Sequence, residues 1–202
     1  MSSGLVLVNT GPGKGKTTAA LGVTLRALGH GRRVLFLQFI KSASTGESAF
    51  LDEYAREHPD RLYFAKLGLG FVGDRPKEAD LEMAKVAMGE AEARRREADL
   101  VVLDELNVAV SLGLVPLGWA KNFIETRPED QDIVITGRDC PEELCDLAHT
   151  VTEMREVKHA YRQGIKAKKG VDYCGPAKPG QGPDLADPAA AGGRRILVLF
   201  EI

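Results

Sequence analysis

The stretch Thr10 to Thr18, TGPGKGKTT, constrains the fold of this chain more than any other. Before it, Gly4 to Val8 is an apolar run of strand length; after it, Ala19 to Leu28 places apolar residues at helical spacing. The order is strand, glycine loop, helix. In that setting Gly11, Gly13 and Gly15 let the backbone turn its N–H groups inward, and the helix adds the positive end of its dipole, so the loop reads as a phosphate cradle. Lys16 supplies a point charge for phosphates and the Thr17 hydroxyl a ligand for magnesium, while Pro12, Lys14 and Thr18 complete the loop.

The nucleotide-binding pattern G-x-x-x-x-G-K-[ST] fits except at its first position, where Thr10 replaces glycine. A turn that merely caps a helix would not explain three glycines, two lysines and two threonines in the eight residues from Gly11.

Downstream, strand-like and helix-like segments alternate. RVLFLQFI (Arg33 to Ile40) reads as a second strand, followed by a polar loop over Lys41 to Glu47 and a helix to about Glu57. RLYFAK (Arg61 to Lys66) is a third strand. The loop from Leu67 to Pro76 holds Phe71, which no periodic pattern assigns to the core. A long helix is expected over Lys77 to Glu97, with Leu81, Ala84 and Met88 on its apolar face and Arg94-Arg95-Arg96 as a solvated end that complements the dipole. Two short helices (Leu106 to Gly113, Pro116 to Glu125), the strand DIVIT (Asp132 to Thr136), a helix over Pro141 to Leu147 and an edge strand over His149 to Met154 follow. Such alternation predicts an α/β fold: a three-layer P-loop (RecA-like) architecture, its mostly parallel sheet covered by helices on both faces.

Ligands of such sheets gather at the carboxyl ends of the strands, so the loop from Lys41 shares a rim with the cradle. The second fixed point is DLVVLDE, Asp99 to Glu105. A buried strand ending in an acidic pair suits the magnesium-side acid of a P-loop protein, and either Asp104 or Glu105 would emerge beside Thr17. On the rim loop Gly137 to Pro141, Arg138 is a candidate for a bidentate contact with an anionic ligand group or for a plain salt bridge.

A chain of 202 residues suffices for one domain and a tail. The net charge of −2 offers no general attraction to nucleic acid or an anionic membrane, so any anion site must be local. The one concentration of positive charge, Arg155 to Tyr173, interleaves Lys158, Arg162, Lys166, Lys168 and Lys169 with His159, Tyr161 and Tyr173. That mixture suits a single-stranded nucleic acid or closure over an anionic small molecule, and the balanced total charge favours the second. No run approaches the roughly 20 apolar residues of a membrane span, and the first strand begins too early to leave room for a signal peptide, so a cytoplasmic protein is expected. The three cysteines, Cys140, Cys145 and Cys174, lack zinc-type spacing and read as reduced thiols. From Cys174 to Gly193 the composition becomes that of a linker, and RRILVLFEI (Arg194 to Ile202) reads as a terminal strand that joins a sheet edge of its own chain or of a partner.

Three stretches, TGPGKGKTTAALG, VVLDELNVAVSLGLV and ITGRDCPEELCDLAHTVTEMREVKHAYRQGIKAKKGVDY, together resemble the P-loop corrinoid adenosyltransferases of the cob(I)yrinic acid a,c-diamide or cob(I)alamin type. The resemblance spans residues 4 to about 173, and its third block is the most specific. It implies transfer of the 5′-deoxyadenosyl group of ATP to the cobalt of a reduced corrinoid with release of triphosphate. It further implies Mg²⁺, an electron donor (a flavoprotein or a chemical reductant) and a homodimer, with no nucleic-acid or membrane partner. By resemblance Gly11 to Thr18 bind the triphosphate, Thr17 and Glu105 approach the magnesium and Asp104 lies in the neighbouring shell. In relatives the loop matching Leu67 to Pro76 commonly reads G-F-T-W and lies against the lower corrinoid face. Here Phe71 matches, whereas Gly73 stands at the tryptophan position. Two rival classes use the same cradle: a nucleoside kinase or ATPase, and a non-catalytic nucleotide-dependent corrinoid-binding protein.

Overall fold

The computed structural model describes residues 3–70, 72 and 75–171. Phe71, Gly73, Tyr173, Cys174, the expected linker over 174–193 and the expected strand over 194–202 lie outside the described residues.

Six strands form a single sheet in the order β3-β2-β4-β5-β1-β6, and every pairing is parallel. The strands are β1 (Val6–Thr10), β2 (Val34–Gln38), β3 (Leu62–Lys66), β4 (Leu100–Asp104), β5 (Asp132–Thr136) and β6 (Thr150–Glu153). The helices are α1 (Lys16–Gly29), α2 (Gly46–Glu57), α3 (Glu78–Arg94), α4 (Leu106–Ser111), α5 (Leu117–Glu125) and α6 (Glu142–Asp146). Both β2 and β4 are buried at every position, as expected of strands covered on both faces, and read as continuous apolar runs rather than alternations.

Residue parity then sorts the core into two layers. Leu35, Leu37, Val101, Leu103, Ile133 and Ile135 face one cluster with Ala84, Ala87 and Ala91 of α3, Leu106 of α4 and Phe123 of α5. Their strand neighbours Val34, Phe36, Leu100, Val102 and Val134 face the other, with Ala20 and Ala27 of α1 and Leu51 of α2. The register brings the polar carboxyl-terminal residues Gln38 and Asp104 side by side. Asn9 is likewise paired with Thr136.

The structure corrects the expected anatomy at three places. The long helix ends at Arg94, and Arg95–Glu97 tightens into a 3-10 turn. Its buried face is Ala84, Ala87 and Ala91, whereas Leu81 remains exposed, because small side chains let α3 pack closely on the sheet. The strand expected near the sheet edge is present there as β6, exposed at all four positions. Finally, the arginine run is not uniformly solvated. Arg95 is buried, its guanidinium lies 4.0 Å from the centroid of the Phe123 ring, and its Nη2 donates to the Phe123 carbonyl at 2.6 Å. A planar guanidinium can stack and donate at once, which an ammonium cannot. Arg95→Lys is therefore expected to cost about 1–3 kcal/mol in urea unfolding, against less than about 0.5 kcal/mol for Arg96→Lys; equal effects would contradict the packing described.

Candidate functional site

The cradle follows directly from β1. Gly11 has φ 94°, and a Cβ there would meet the Met154 carbonyl oxygen at 2.5 Å. A Cβ on Gly13 would meet the same oxygen at 2.8 Å, and the Gly13 N–H donates to it at 2.7 Å. Two of the three loop glycines are thus dictated by the backbone just beyond β6, not by the loop alone. Gly15 caps α1, and the first intrahelical bond runs from the Ala19 N–H to the Gly15 carbonyl at 2.8 Å. The amides of the first helical turn accordingly converge on the loop, as an anion site requires.

Lys16 is 1% exposed. Its Nζ donates to the carbonyls of Gly11 at 3.0 Å and Gly13 at 2.7 Å, so the charge is folded into the cradle it serves. Pro12, Lys14 and Thr18 stand exposed around the loop.

Thr17 opens α1 beside β4. Its Oγ1 donates to Asp104 Oδ1 at 2.8 Å, and Thr136 Oγ1 donates to the same oxygen at 2.7 Å. Gln38 Nε2 donates to Asp104 Oδ2 at 2.9 Å. Lys41 Nζ donates to Thr17 Oγ1 at 2.7 Å and lies 3.3 Å from Asp104 Oδ2 and 3.9 Å from Glu105 Oε1. Of the acidic pair it is therefore Asp104, fully buried, that touches Thr17. Glu105 turns away from the strand at φ 64°, with its N–H donating to Thr136 Oγ1 at 2.9 Å, and its side chain keeps 15% exposure at the rim.

Arg138 is half-buried on the loop after β5. It lies close enough to Glu156 to help lower that carboxyl's pKa, although the main cause there is the hydrogen bond from Arg162. Cys140 anchors the same loop by donating its N–H to Thr10 Oγ1 at 3.3 Å. Burial, reinforced by the neighbouring Cys145 thiol, pushes the Cys140 thiol up from its ordinary range. Both described cysteines are free, as expected. Residues 155–171 carry their charges in the open: Lys158, Arg162, Lys166, Lys168 and Lys169 are all exposed.

Sequence reasoning placed Thr17 and the acidic pair together and left Gln38, Lys41, Thr136 and Met154 unassigned. For Gln38 and Thr136 a signal existed: each is the polar residue that closes an apolar strand, the same pattern that marks Asp104. The arrangement is a preformed anion cradle flanked by hard oxygen donors, without any residue set up as a covalent nucleophile among those described.

Asp104→Asn retains shape but presents only one acceptor oxygen to three donors. Chemical denaturation should reveal a loss of about 1–3 kcal/mol. Unchanged stability would mean that the buried carboxylate does not organise these contacts.

Comparison with known proteins follows the same stretches. The family description "ATP:corrinoid adenosyltransferase BtuR/CobO/CobP" matches residues 2–173. A corrinoid adenosyltransferase of Pseudomonas aeruginosa is 42% identical over 174 residues, covering 84% of each chain. Corrinoid adenosyltransferase CobA of Salmonella typhimurium is 41% identical over 84% of this chain and 86% of its own, and the corrinoid adenosyltransferase of Escherichia coli K12 is 38% identical with the same coverage. Among solved structures, the flagellar accessory protein FlaH from Methanocaldococcus jannaschii superposes with a TM-score of 0.54 over 76% of this chain and 72% of its own. At 12% identity that likeness concerns the fold alone. Sequence, site and relatives agree: the chain belongs to the ATP:corrinoid adenosyltransferase family.

Proposed function

We propose that this protein transfers the 5′-deoxyadenosyl group of ATP to the cobalt of a reduced corrinoid and releases triphosphate. The observation that carries this reading is the bond from the Gly13 N–H to the Met154 carbonyl at 2.7 Å. It ties the phosphate cradle to Met154, in the third of the stretches that carry the resemblance and within the residues the family description matches.

In the reaction the corrinoid's cobalt(I) attacks the C5′ carbon of ATP, the C5′–O bond breaks, and its electron pair leaves with the triphosphate. The substrate brings its own nucleophile, so the protein's work is to bind, orient and neutralise. Gly11 to Thr18 cradle the triphosphate through backbone N–H groups, and Lys16 exchanges the loop carbonyls for phosphate oxygens. Arg138 supplies a second cationic contact at the rim.

The donor set suits Mg²⁺. The Thr17 hydroxyl gives its proton to Asp104 at 2.8 Å, which leaves lone pairs for a cation, and Glu105 adds a carboxylate on the rim. Thr17 and Glu105 would hold the ion, with Asp104 orienting Thr17 from behind. When bound, Mg²⁺ neutralises charge that builds on the leaving triphosphate.

Phe71 is assigned to the lower corrinoid face by its match to the family loop; Gly73 stands where relatives place tryptophan, so either another side chain completes that wall or the corrinoid is held differently. The reading carries an electron donor for cobalt(II), a homodimer and a cytoplasmic setting with it; no helix among the described residues is long and apolar enough to cross a membrane.

Incubation with ATP, Mg²⁺ and cobalt(I) corrinoid should yield triphosphate with an alkylcobalt spectrum. Lys16→Ala should reduce that rate at least about a hundredfold. ADP formed without corrinoid would overturn the assignment in favour of a kinase or ATPase. Phe71→Ala is expected to slow turnover several-fold more when cobalt(II) must be reduced in the site than when cobalt(I) is supplied; equal losses would assign Phe71 to packing.

A further inference from the structure

Lys41 was marked by no sequence pattern beyond its place on the rim, yet it sits at the centre of the site. Its side chain is 12% exposed, and the ammonium lies 2.7 Å from Thr17 Oγ1, 3.3 Å from Asp104 Oδ2 and 3.9 Å from Glu105 Oε1. These are the same three side chains assigned above to the magnesium side of the site. Thr17 cannot give Lys41 a proton, because its own goes to Asp104 Oδ1 at 2.8 Å. Thr17 therefore meets Lys41 with one of its two lone pairs, leaving the other for a metal ion. A Mg²⁺ about 2.0–2.1 Å from the same oxygen would stand within roughly 4 Å of the ammonium. At that distance two positive charges repel, so the two cations compete for this oxygen cluster.

The need for a cation there is also visible. Asp104 is fully buried, and a buried carboxylate beside a second carboxylate is costly without a counter-charge. The neutral donors Thr17, Thr136 and Gln38 satisfy its lone pairs but not its charge. Lys16, the other buried cation of the site, is engaged with the carbonyls of Gly11 and Gly13.

We propose that Lys41 is a built-in counter-ion that holds the metal position of the nucleotide-free protein and is displaced when the metal arrives with ATP. The proposal rests on the magnesium reading given above. It makes Lys41 a positioning residue: it keeps Thr17, Asp104 and Glu105 gathered beforehand, and it prevents a bare divalent ion from loading without nucleotide. The lysine stem is flexible and its ammonium a compact point charge, so the exchange requires a rotamer change rather than movement of the loop.

The test is a titration of nucleotide-free protein with Mn²⁺ alone, followed by electron paramagnetic resonance of the free ion. Lys41→Met and Lys41→Gln should each bind one Mn²⁺ at least about tenfold more tightly than the unaltered chain. Adding Thr17→Val to Lys41→Gln should abolish that gain. Thermal unfolding of Lys41→Gln should recover with millimolar Mg²⁺, whereas the unaltered protein should respond little. Should Lys41→Met fail to fold, Lys41→Gln, which retains a hydrogen-bond donor without charge, answers the question alone. Equal Mn²⁺ affinity in variant and parent overturns the proposal and leaves Lys41 a structural ion pair, a role that would lower stability without touching metal affinity. Neither ATP nor corrinoid enters the titration. A negative result here therefore leaves the triphosphate assay standing, and a negative triphosphate assay leaves the titration interpretable.

Discussion

A single buried carboxylate organises this molecule. Asp104 is wholly withdrawn from solvent and closes the strand β4, which β2 and β5 flank. Its four partners come from three separate pieces of chain: Gln38 ends β2 and Lys41 follows it, Thr136 ends β5, and Thr17 opens α1. Moving such a charge out of water is unfavourable unless every contact is made, so the three pieces are held to one another by the penalty of leaving any of them out. Strand register, the start of α1 and the acidic rim are therefore set together. The same group that fixes the fold also fixes the hydroxyl on which a hard cation would sit.

A second constraint acts from the opposite side of the cradle. The chain leaving β6 runs so close over the loop that neither Gly11 nor Gly13 has room for a side chain, since Met154 backbone oxygen lies 2.5 and 2.8 Å from where each Cβ would be. The glycines thus serve two masters. In the proposed function they free backbone N–H groups for phosphate, and they admit a strand end that the loop needs for its own hydrogen bonding. This is why a weakly packed edge strand, exposed at every position, still matters to the site: its main chain, not its side chains, is the working part.

Much of this was legible in the sequence because its cause is local. An apolar run ended by Asp104, a glycine loop ended by Lys16 and Thr17, and alternating strand and helix segments each express short-range rules, and together they fix a parallel sheet with its ligand rim. What was hidden depends on partners distant along the chain. Nothing around Lys41 reveals that its ammonium will meet Thr17 and Asp104, 24 residues before and 63 after it respectively. Arg95 looked like one of three equivalent arginines, yet only its position on the turn after α3 lets the guanidinium slide over Phe123. Leu81 misled for a related reason: periodicity finds a face, but close approach of α3 to the sheet selects the alanines on it.

The acidic pair illustrates how one strand end can give two adjacent carboxylates different work. Glu105 adopts φ 64°, a conformation that costs a residue with a side chain about 1–2 kcal/mol. The strain is offset where it arises: the Glu105 N–H donates to Thr136 Oγ1 at 2.9 Å, and that same hydroxyl passes its own proton toward Asp104. The turn is thus locked by the network that immobilises Asp104. Its effect is to swing the second carboxylate out of the strand's plane and onto the rim, where it keeps contact with solvent. The turn thus gives one ammonium two carboxylate neighbours of different exposure: Lys41 Nζ lies 3.3 Å from Asp104 Oδ2, which is wholly buried, and 3.9 Å from Glu105 Oε1, whose side chain reaches solvent.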